Sequence, residues 1–271
     1  MQGGEIVGFI AIFLMGGTLG LIGAGGSILT VPILVYLFGF DPTLATAYSL
    51  VLVGSTAATG SIRNLAKGQF DKEAFLSFGI PSVLSVYLVR RYFLPALPDS
   101  LGEIGTFEIT KSGLIMVVFA GLMMLAALLI IKGDARPKDE GDSSRKRKST
   151  RYGLVCCEGL FTGALTGMVG AGGGFLIVPA LVWLMKLPIK LAISTSLLII
   201  TTKSLIGFVG DLQVSRAVDW PFLAVLLVLS SAGIFVGSHL SRKVSSQQLR
   251  LGFGWFVLVA GASILLAELS A

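Results

Sequence analysis

A thirteen-residue glycine-rich stretch, Gly167-Met-Val-Gly-Ala-Gly-Gly-Gly-Phe-Leu-Ile-Val-Pro179, recurs in related form at Gly20–Pro32, and this duplication constrains the fold more than any other feature. A shift of 147 positions lays Gly16–Gly60 over Gly163–Gly207 without a gap, and 17 of the 45 pairs are identical. They include Gly16/Gly163, Gly20/Gly167, Gly23/Gly170, Gly25/Gly172, Gly26/Gly173, Val31/Val178 and Pro32/Pro179. Further on, Leu44-Ala-Thr-Ala-Tyr-Ser-Leu50 answers Leu191-Ala-Ile-Ser-Thr-Ser-Leu197. An internal repeat settles the architecture before any element is drawn. The chain is two copies of one unit.

Each glycine knot lies between apolar runs, and composition says what surrounds them. Apolar residues make up 54% of the chain and charged ones 13%, too little polar surface to cover a soluble globule. Long apolar segments fit membrane helices of about 20 residues. Unbroken apolar runs exclude a β-barrel, whose strands alternate. The expected class is therefore an all-α integral membrane protein. Adjacent Cys156 and Cys157 offer neither a disulfide framework nor metal-ligand spacing and read as packing residues. The start, Met1-Gln-Gly-Gly-Glu5, lacks a basic region, so the first apolar stretch is expected to be retained. The net charge of +6 comes from short clusters between apolar segments, a membrane-orientation pattern rather than a nucleic-acid surface.

In chain order, Ile6–Ile22 is broken by Gly23-Ala-Gly-Gly26 and resumes as Ser27–Phe40. The second piece rises about 21 Å, short of a hydrocarbon core of about 30 Å, so the pair reads as a hairpin dipping into the membrane. Crossings follow at Thr43–Ala66, at Glu73–Leu94 with a kink at Pro81 and a stop at Pro95, and at Ser112–Ile131, with Pro95–Thr110 a polar connector. The linker 132–151 carries eight Lys or Arg against four Asp or Glu. The second unit repeats the plan: Leu154–Val169, the knot, Phe175–Leu187, then crossings at Ile189–Val209, Trp220–Leu240 and Leu249–Leu269. The divisions are 1–131 for the first membrane repeat, 132–151 for a charged linker and 152–271 for the second repeat.

A hairpin plus three crossings per unit is an odd number, so two joined units are expected in opposite orientations, as inverted repeats. Placing linker 132–151 in the cytoplasm puts 16 of the 21 Lys and Arg inside, four outside (Arg90, Arg91, Lys111, Arg216) and Lys203 within the membrane. Both termini then face out.

In inverted-repeat transporters, paired Gly/Pro-interrupted short segments point to a midplane site where half-helix N-termini face an anion. Gly23, Gly25 and Gly26 in one copy, and Gly170, Gly172, Gly173 and Gly174 in the other, would present backbone N–H groups to a small oxyanion. Ser49, Ser196 and Thr195 recur on the next helix as hydroxyl donors. The competing reading is that the glycines serve helix packing, since Gly16-xxx-Gly20 and Gly163-xxx-Gly167 are small-xxx-small patterns. Gly233-xxx-Gly237 lies outside the repeat and reads as packing. Lys203 stands 14 residues beyond Ile189, about 21 Å along its helix. A charge at that depth costs about 2.5–3.5 kcal/mol and faces a partner or a cavity. Two roles compete for it: attraction of the anion, or a pair with an acid such as Glu158.

The doubled Gly-x-x-Gly-x-Gly-Gly-x-x-x-x-x-Pro motif, in two four-element halves around a charged loop, resembles the sulfite exporter TauE/SafE family. Gly23, Gly25, Gly26 and Pro32 match it in the first half and Gly170, Gly172, Gly173 and Pro179 in the second, while Ser27 against Gly174 departs between halves. The resemblance implies multipass export of sulfite, an organosulfonate or a related sulfur-containing anion across a prokaryotic plasma membrane. An uncoupled anion channel and an accessory membrane protein remain the competing functions, with a proton the candidate coupling ion and the oligomeric state open. No cofactor, metal cluster, catalytic motif or nucleic-acid partner is expected. His239 reads as interfacial, and Asp41, Asp211 and Asp219 as caps or loop residues.

The topology has a direct test. In a background without native thiols, cysteines placed at Ser144 and at Gly3 should be labelled by an impermeant maleimide from opposite faces of the membrane.

Overall fold

The computed structural model describes residues 3–22, 24–66, 68–104, 107–132, 152–214, 218–240 and 246–270. Gly23 and most of the charged linker lie outside them. The first half holds α1 (Gly3–Ile22) and α2, a short helix made of a 3₁₀ turn (Ala24–Leu29), an α turn (Thr30–Pro32) and a π turn (Ile33–Leu37). Then come α3 (Pro42–Ala66), α4 (Lys72–Ala96) and α5 (Lys111–Lys132). The second half holds α6 (Tyr152–Val169), α7 (Gly174–Leu184), α8 (Ile189–Leu212), α9 (Trp220–Leu240) and α10 (Ser246–Ser270). Repeat mates keep their register: Ile22 and Val169 end α1 and α6, Leu37 and Leu184 end α2 and α7, and Pro42 and Ile189 begin α3 and α8, each pair 147 apart.

Among the described residues, six helices, α4, α5, α6, α8, α9 and α10, contain stretches long and apolar enough to cross a membrane. The set differs from the sequence expectation at α6, which qualifies by itself, and at α3, whose Ser, Thr and Gly positions lower its hydropathy. α3 tolerates that polarity because it is central, with every residue from Ala45 to Gly54 buried. The connector after α4 is not wholly irregular. It contains an antiparallel hairpin, β1 (Ser100–Ile104) and β2 (Phe107–Thr110), the one sheet among the described residues.

α4 ends at Ala96, one residue beyond Pro95. Two π turns, Phe75–Gly79 and Val89–Phe93, end just ahead of Pro81 and Pro95, and the helix continues through both to Ala96. A π turn shifts the hydrogen-bond register where a proline ring and its missing N–H would break an α-helix. Asp71 caps the start by accepting from the Ala74 N–H at 2.8 Å. Asp41 and Asp219 likewise accept from Thr43 N–H at 2.8 Å and Phe222 N–H at 3.1 Å at the starts of α3 and α9.

α1 and α2 fold back on each other as a hairpin: Phe38 at its open end packs on Phe9 with ring centroids 5.3 Å apart, and Gly26 at its turn abuts Leu19. α3 and α8, repeat mates, run antiparallel, since Gly54 meets Ser204 and Leu205 while Leu50 meets Gly207. α5 and α10, also mates, run antiparallel, with Gly261 against Met123 and Gly254 against Ile130 and Ile131. The remaining contacts are exchanged between halves. Gly16 and Gly20 of α1 lie on the backbone of Ser230 and Ile234 in α9, and Gly163 and Gly167 of α6 lie on Ser82 and Val86 in α4.

These seams are backbone on backbone. A methyl group added to Gly233 would collide with the Phe13 carbonyl, and one on Gly237 with the Gly17 carbonyl, both of which belong to α1. Small residues permit such approach in lipid, where apolar side chains gain nothing by leaving one apolar medium for another. Gly233→Ala should therefore destabilise the detergent-solubilised protein by about 1–3 kcal/mol, the usual range for overpacking. Gly121→Ala, with nothing within 4 Å of the added carbon, should leave the thermal midpoint near that of the parent.

Candidate functional site

The second knot is built from three left-handed residues in four: Gly170 (φ 73°), Gly172 (φ 65°) and Gly173 (φ 72°). Any L side chain is strained there, which explains glycine at those positions. Gly173 caps α7, its carbonyl accepting from the N–H groups of Leu176 and Ile177 at 3.0 Å each. Two knot donors are already used within the chain: Gly170 N–H donates to the Thr166 carbonyl at 2.9 Å and Gly173 N–H to the Ala171 carbonyl at 2.6 Å. Fewer amides therefore face outward than the number of glycines implies.

The knot sits halfway along the α3/α8 pair. Gly172 packs on Val53 and Ile200, which are repeat mates, each 11 residues from the start of its helix, Pro42 and Ile189. The hairpin of α6 and α7 thus ends on a matched pair of positions, one from each half. Gly170 lies against the Thr46 backbone, and its carbonyl accepts from the Ser49 hydroxyl at 2.7 Å. α7 also packs on the 3₁₀ turn Ala24–Leu29, which contains Gly25 and buried Gly26 and Ser27 of the first knot.

Lys203 comes to this knot. A methyl on Gly173 would lie 2.9 Å from its Nζ. The side chain is 1% exposed, and Nζ donates to Thr166 Oγ1 at 2.8 Å, while the Thr166 hydroxyl donates to the Thr162 carbonyl at 2.7 Å. The Thr166 oxygen is thus turned toward the ammonium. Glu158 precedes Thr166 by eight residues on α6, about 12 Å by helical rise, and among the described residues no ion pair joins it to Lys203. The repeat mate of Lys203, Thr56, instead donates to the Leu52 carbonyl, and its oxygen lies 3.1 Å from Ser230 Oγ. Charge is where the two halves differ.

The other predicted hydroxyls bond elsewhere. Thr195 Oγ1 accepts from the Asp71 N–H at 2.9 Å and ties down the start of α4, and the Ser196 hydroxyl donates to the Ile193 carbonyl of its own helix at 2.8 Å. Arg90 was missed. Counted as an outside charge, it is 0% exposed in the second π turn of α4, with NH1 3.1 Å from Asp211 Oδ2 and 3.0 Å from Thr46 Oγ1. Asp211 is correspondingly no cap or loop residue but the buried half of an ion pair in the last turn of α8. A buried charge needs a partner at Arg90 as at Lys203, although Arg90 lies only six residues, about 9 Å by helical rise, from the end of α4. Arg90 was passed over because the segment was expected to end at Leu94, near the interface. His239, expected at the interface, is exposed in the last turn of α9.

A large apolar cavity lies away from the second knot. It encloses about 910 Å³ between α1, α2, α9 and α10, and its walls are mostly apolar, among them Leu14, Pro32, Val236 and Phe256, with no basic side chain.

The family model for "Sulfite exporter TauE/SafE" matches residues 8–264. The chain belongs to the TauE/SafE family. It is 30% identical to a "Probable membrane transporter protein" of Xylella fastidiosa (strain 9a5c) over 93% of this chain and 91% of that one. It is 25% identical to "Probable membrane transporter protein YunE" of Bacillus subtilis (strain 168), over 94% and 96% respectively. It is 26% identical to "Probable membrane transporter protein MJ0441" of Methanocaldococcus jannaschii, over 96% and 94%. No solved structure matches it. A multipass membrane transporter, rather than an enzyme, is what the family and these relatives indicate.

In this TauE/SafE chain, repeat mates Ser49 and Ser196 have different work, which a pair of substitutions separates. Ser49→Ala leaves the buried Gly170 carbonyl without its hydroxyl donor and should cost about 1–3 kcal/mol of stability. Ser196→Ala loses a bond within its own helix and should shift the thermal midpoint less.

Proposed function

We propose that this protein is a secondary transporter that exports a small sulfur-containing anion, sulfite or an organosulfonate, by alternating access around a site where the two glycine knots meet. The observation that carries the reading is the buried ammonium of Lys203 beside Gly173, halfway along the α3/α8 pair. An uncompensated positive charge at mid-membrane depth is costly, and an anion offsets that cost. The left-handed knot and the N-terminus of α7 add partial positive charge at the same place. The family to which the chain belongs carries sulfite export in its description, and it supplies the substrate class.

The two halves are taken as inverted repeats, 1–131 and 152–271, in a prokaryotic plasma membrane with linker 132–151 cytoplasmic and both termini outside. Antiparallel packing of mates α3 with α8 and α5 with α10 supports the inversion, because repeats related by an axis along the membrane normal would set their mates parallel. Neighbours fill the space around Gly172 and Gly173, so the anion enters as a hairpin moves off the α3/α8 pair. A proton is the proposed coupling ion.

Reconstituted into liposomes, the protein should take up labelled sulfite with saturation and respond to an imposed pH gradient. Uptake that follows the sulfite gradient without saturation would mark an uncoupled facilitator. Lys203→Met should raise the apparent KM at least tenfold, or stop transport, while insertion stays normal. Unchanged kinetics in that variant would remove Lys203 from the site.

A further inference from the structure

The family description concerns an anion; the buried Arg90–Asp211 pair has no part in the site proposed around Lys203. Its position is nevertheless close. Arg90 donates to Thr46, and the Thr46 backbone is what Gly170 of the second knot lies against. Asp211 and Lys203 are on the same helix, eight residues apart, which is about 12 Å by helical rise. The knot therefore runs between two buried cations, Lys203 at its Gly173 end and Arg90 at its Gly170 end. Gly210 makes room for the second of these: a methyl there would lie 3.2 Å from Arg90 Cβ. On the far side of Thr46, one helical turn away, a polar cavity of about 710 Å³ is lined by Asp41, Thr43, Asp99, Lys111 and Ser112. Through Thr46, Arg90 is bonded to the stretch of α3 that runs from that cavity to the knot.

We propose that Arg90 is a second anion-holding residue on the transport path and that Asp211 is its resident counter-ion, displaced when the substrate arrives. This rests on the reading of the second knot as the anion site. A guanidinium presents a planar fork of N–H donors that suits a carboxylate and a sulfur oxyanion alike. Asp211 Oδ2, 3.1 Å from NH1, occupies the place an oxyanion oxygen would take. A buried ion pair is a poor means of tying two helices together, since apolar residues of like volume do so at equal or lower free energy, whereas removing one partner strands the other. What it offers instead is exchange: one anion can replace another on Arg90 without leaving the guanidinium bare. Asp211 is two residues from exposed Gln213, so a displaced carboxylate is close to water.

The test uses the full chain in liposomes and in detergent, with sulfite as the probe. Asp211→Asn keeps the size and an acceptor for Arg90 but removes the competing charge. Its apparent KM for sulfite should fall about tenfold and kcat should fall with it, because the anion is then held more tightly in the ground state. Arg90→Lys keeps a charge to face Asp211 but loses the fork, and its KM should rise about tenfold with the thermal midpoint retained. An Asp211→Asn KM equal to or above the parent value, or an unchanged KM in Arg90→Lys, would reduce the pair to a structural clamp and overturn the proposal. Sulfite protection against thermal unfolding separates this failure from failure of the site itself. Protection seen in the parent and lost in Lys203→Met, without tightening in Asp211→Asn, sinks the Arg90 assignment alone; no protection in the parent sinks the knot as the anion site as well.

Discussion

Close approach of helix backbones through glycine is the constraint on which the rest of this molecule depends. Between lipid-embedded helices there is no hydrophobic force to gain, so packing must come from intimate contact. Gly16, Gly20, Gly233 and Gly237 bring α1 onto α9, and Gly159, Gly163 and Gly167 bring α6 onto α4. Each seam anchors the first arm of a hairpin whose other arm is too short to span. With that arm fixed, the turn of the second hairpin is held at Val53 and Ile200, the middle of the α3/α8 pair. The knot is placed there by what its hairpin is attached to, not by the few bonds it makes itself.

That placement sets the electrostatics. A left-handed turn and a helix N-terminus contribute partial positive charge, each worth a few tenths to about 1 kcal/mol for a nearby anion. Lys203 contributes a basic amine in surroundings that exclude water, and an anion beside it favours the charged form, whose attraction outweighs them. Thr166 accepts one hydrogen bond from the ammonium, which lowers the cost of burying it without neutralising it. At the other end of the knot Arg90 is neutralised by Asp211. Among the described residues, one buried basic group is thus paired with an acid and the other is not.

Composition, the length of the apolar runs and the repeated glycine motif were enough to determine the all-helical membrane class, five helical elements in each half, and the position of both knots along the chain, because these features act locally. The sequence also singled out Lys203, since a charge deep in an apolar run is costly wherever the helix packs. It did not reveal that Gly170 and Gly173 use their own N–H groups, nor that Ser49 and Ser196 differ, because those bonds depend on which carbonyl comes within reach. Arg90, Asp211 and Thr46 lie far apart in sequence, and each has an ordinary local reading as an interfacial base, a loop acid and a helix hydroxyl. Only the tertiary structure decided otherwise, by packing α4 on α8 at Gly210, so that all three polar groups became buried together and had to satisfy one another.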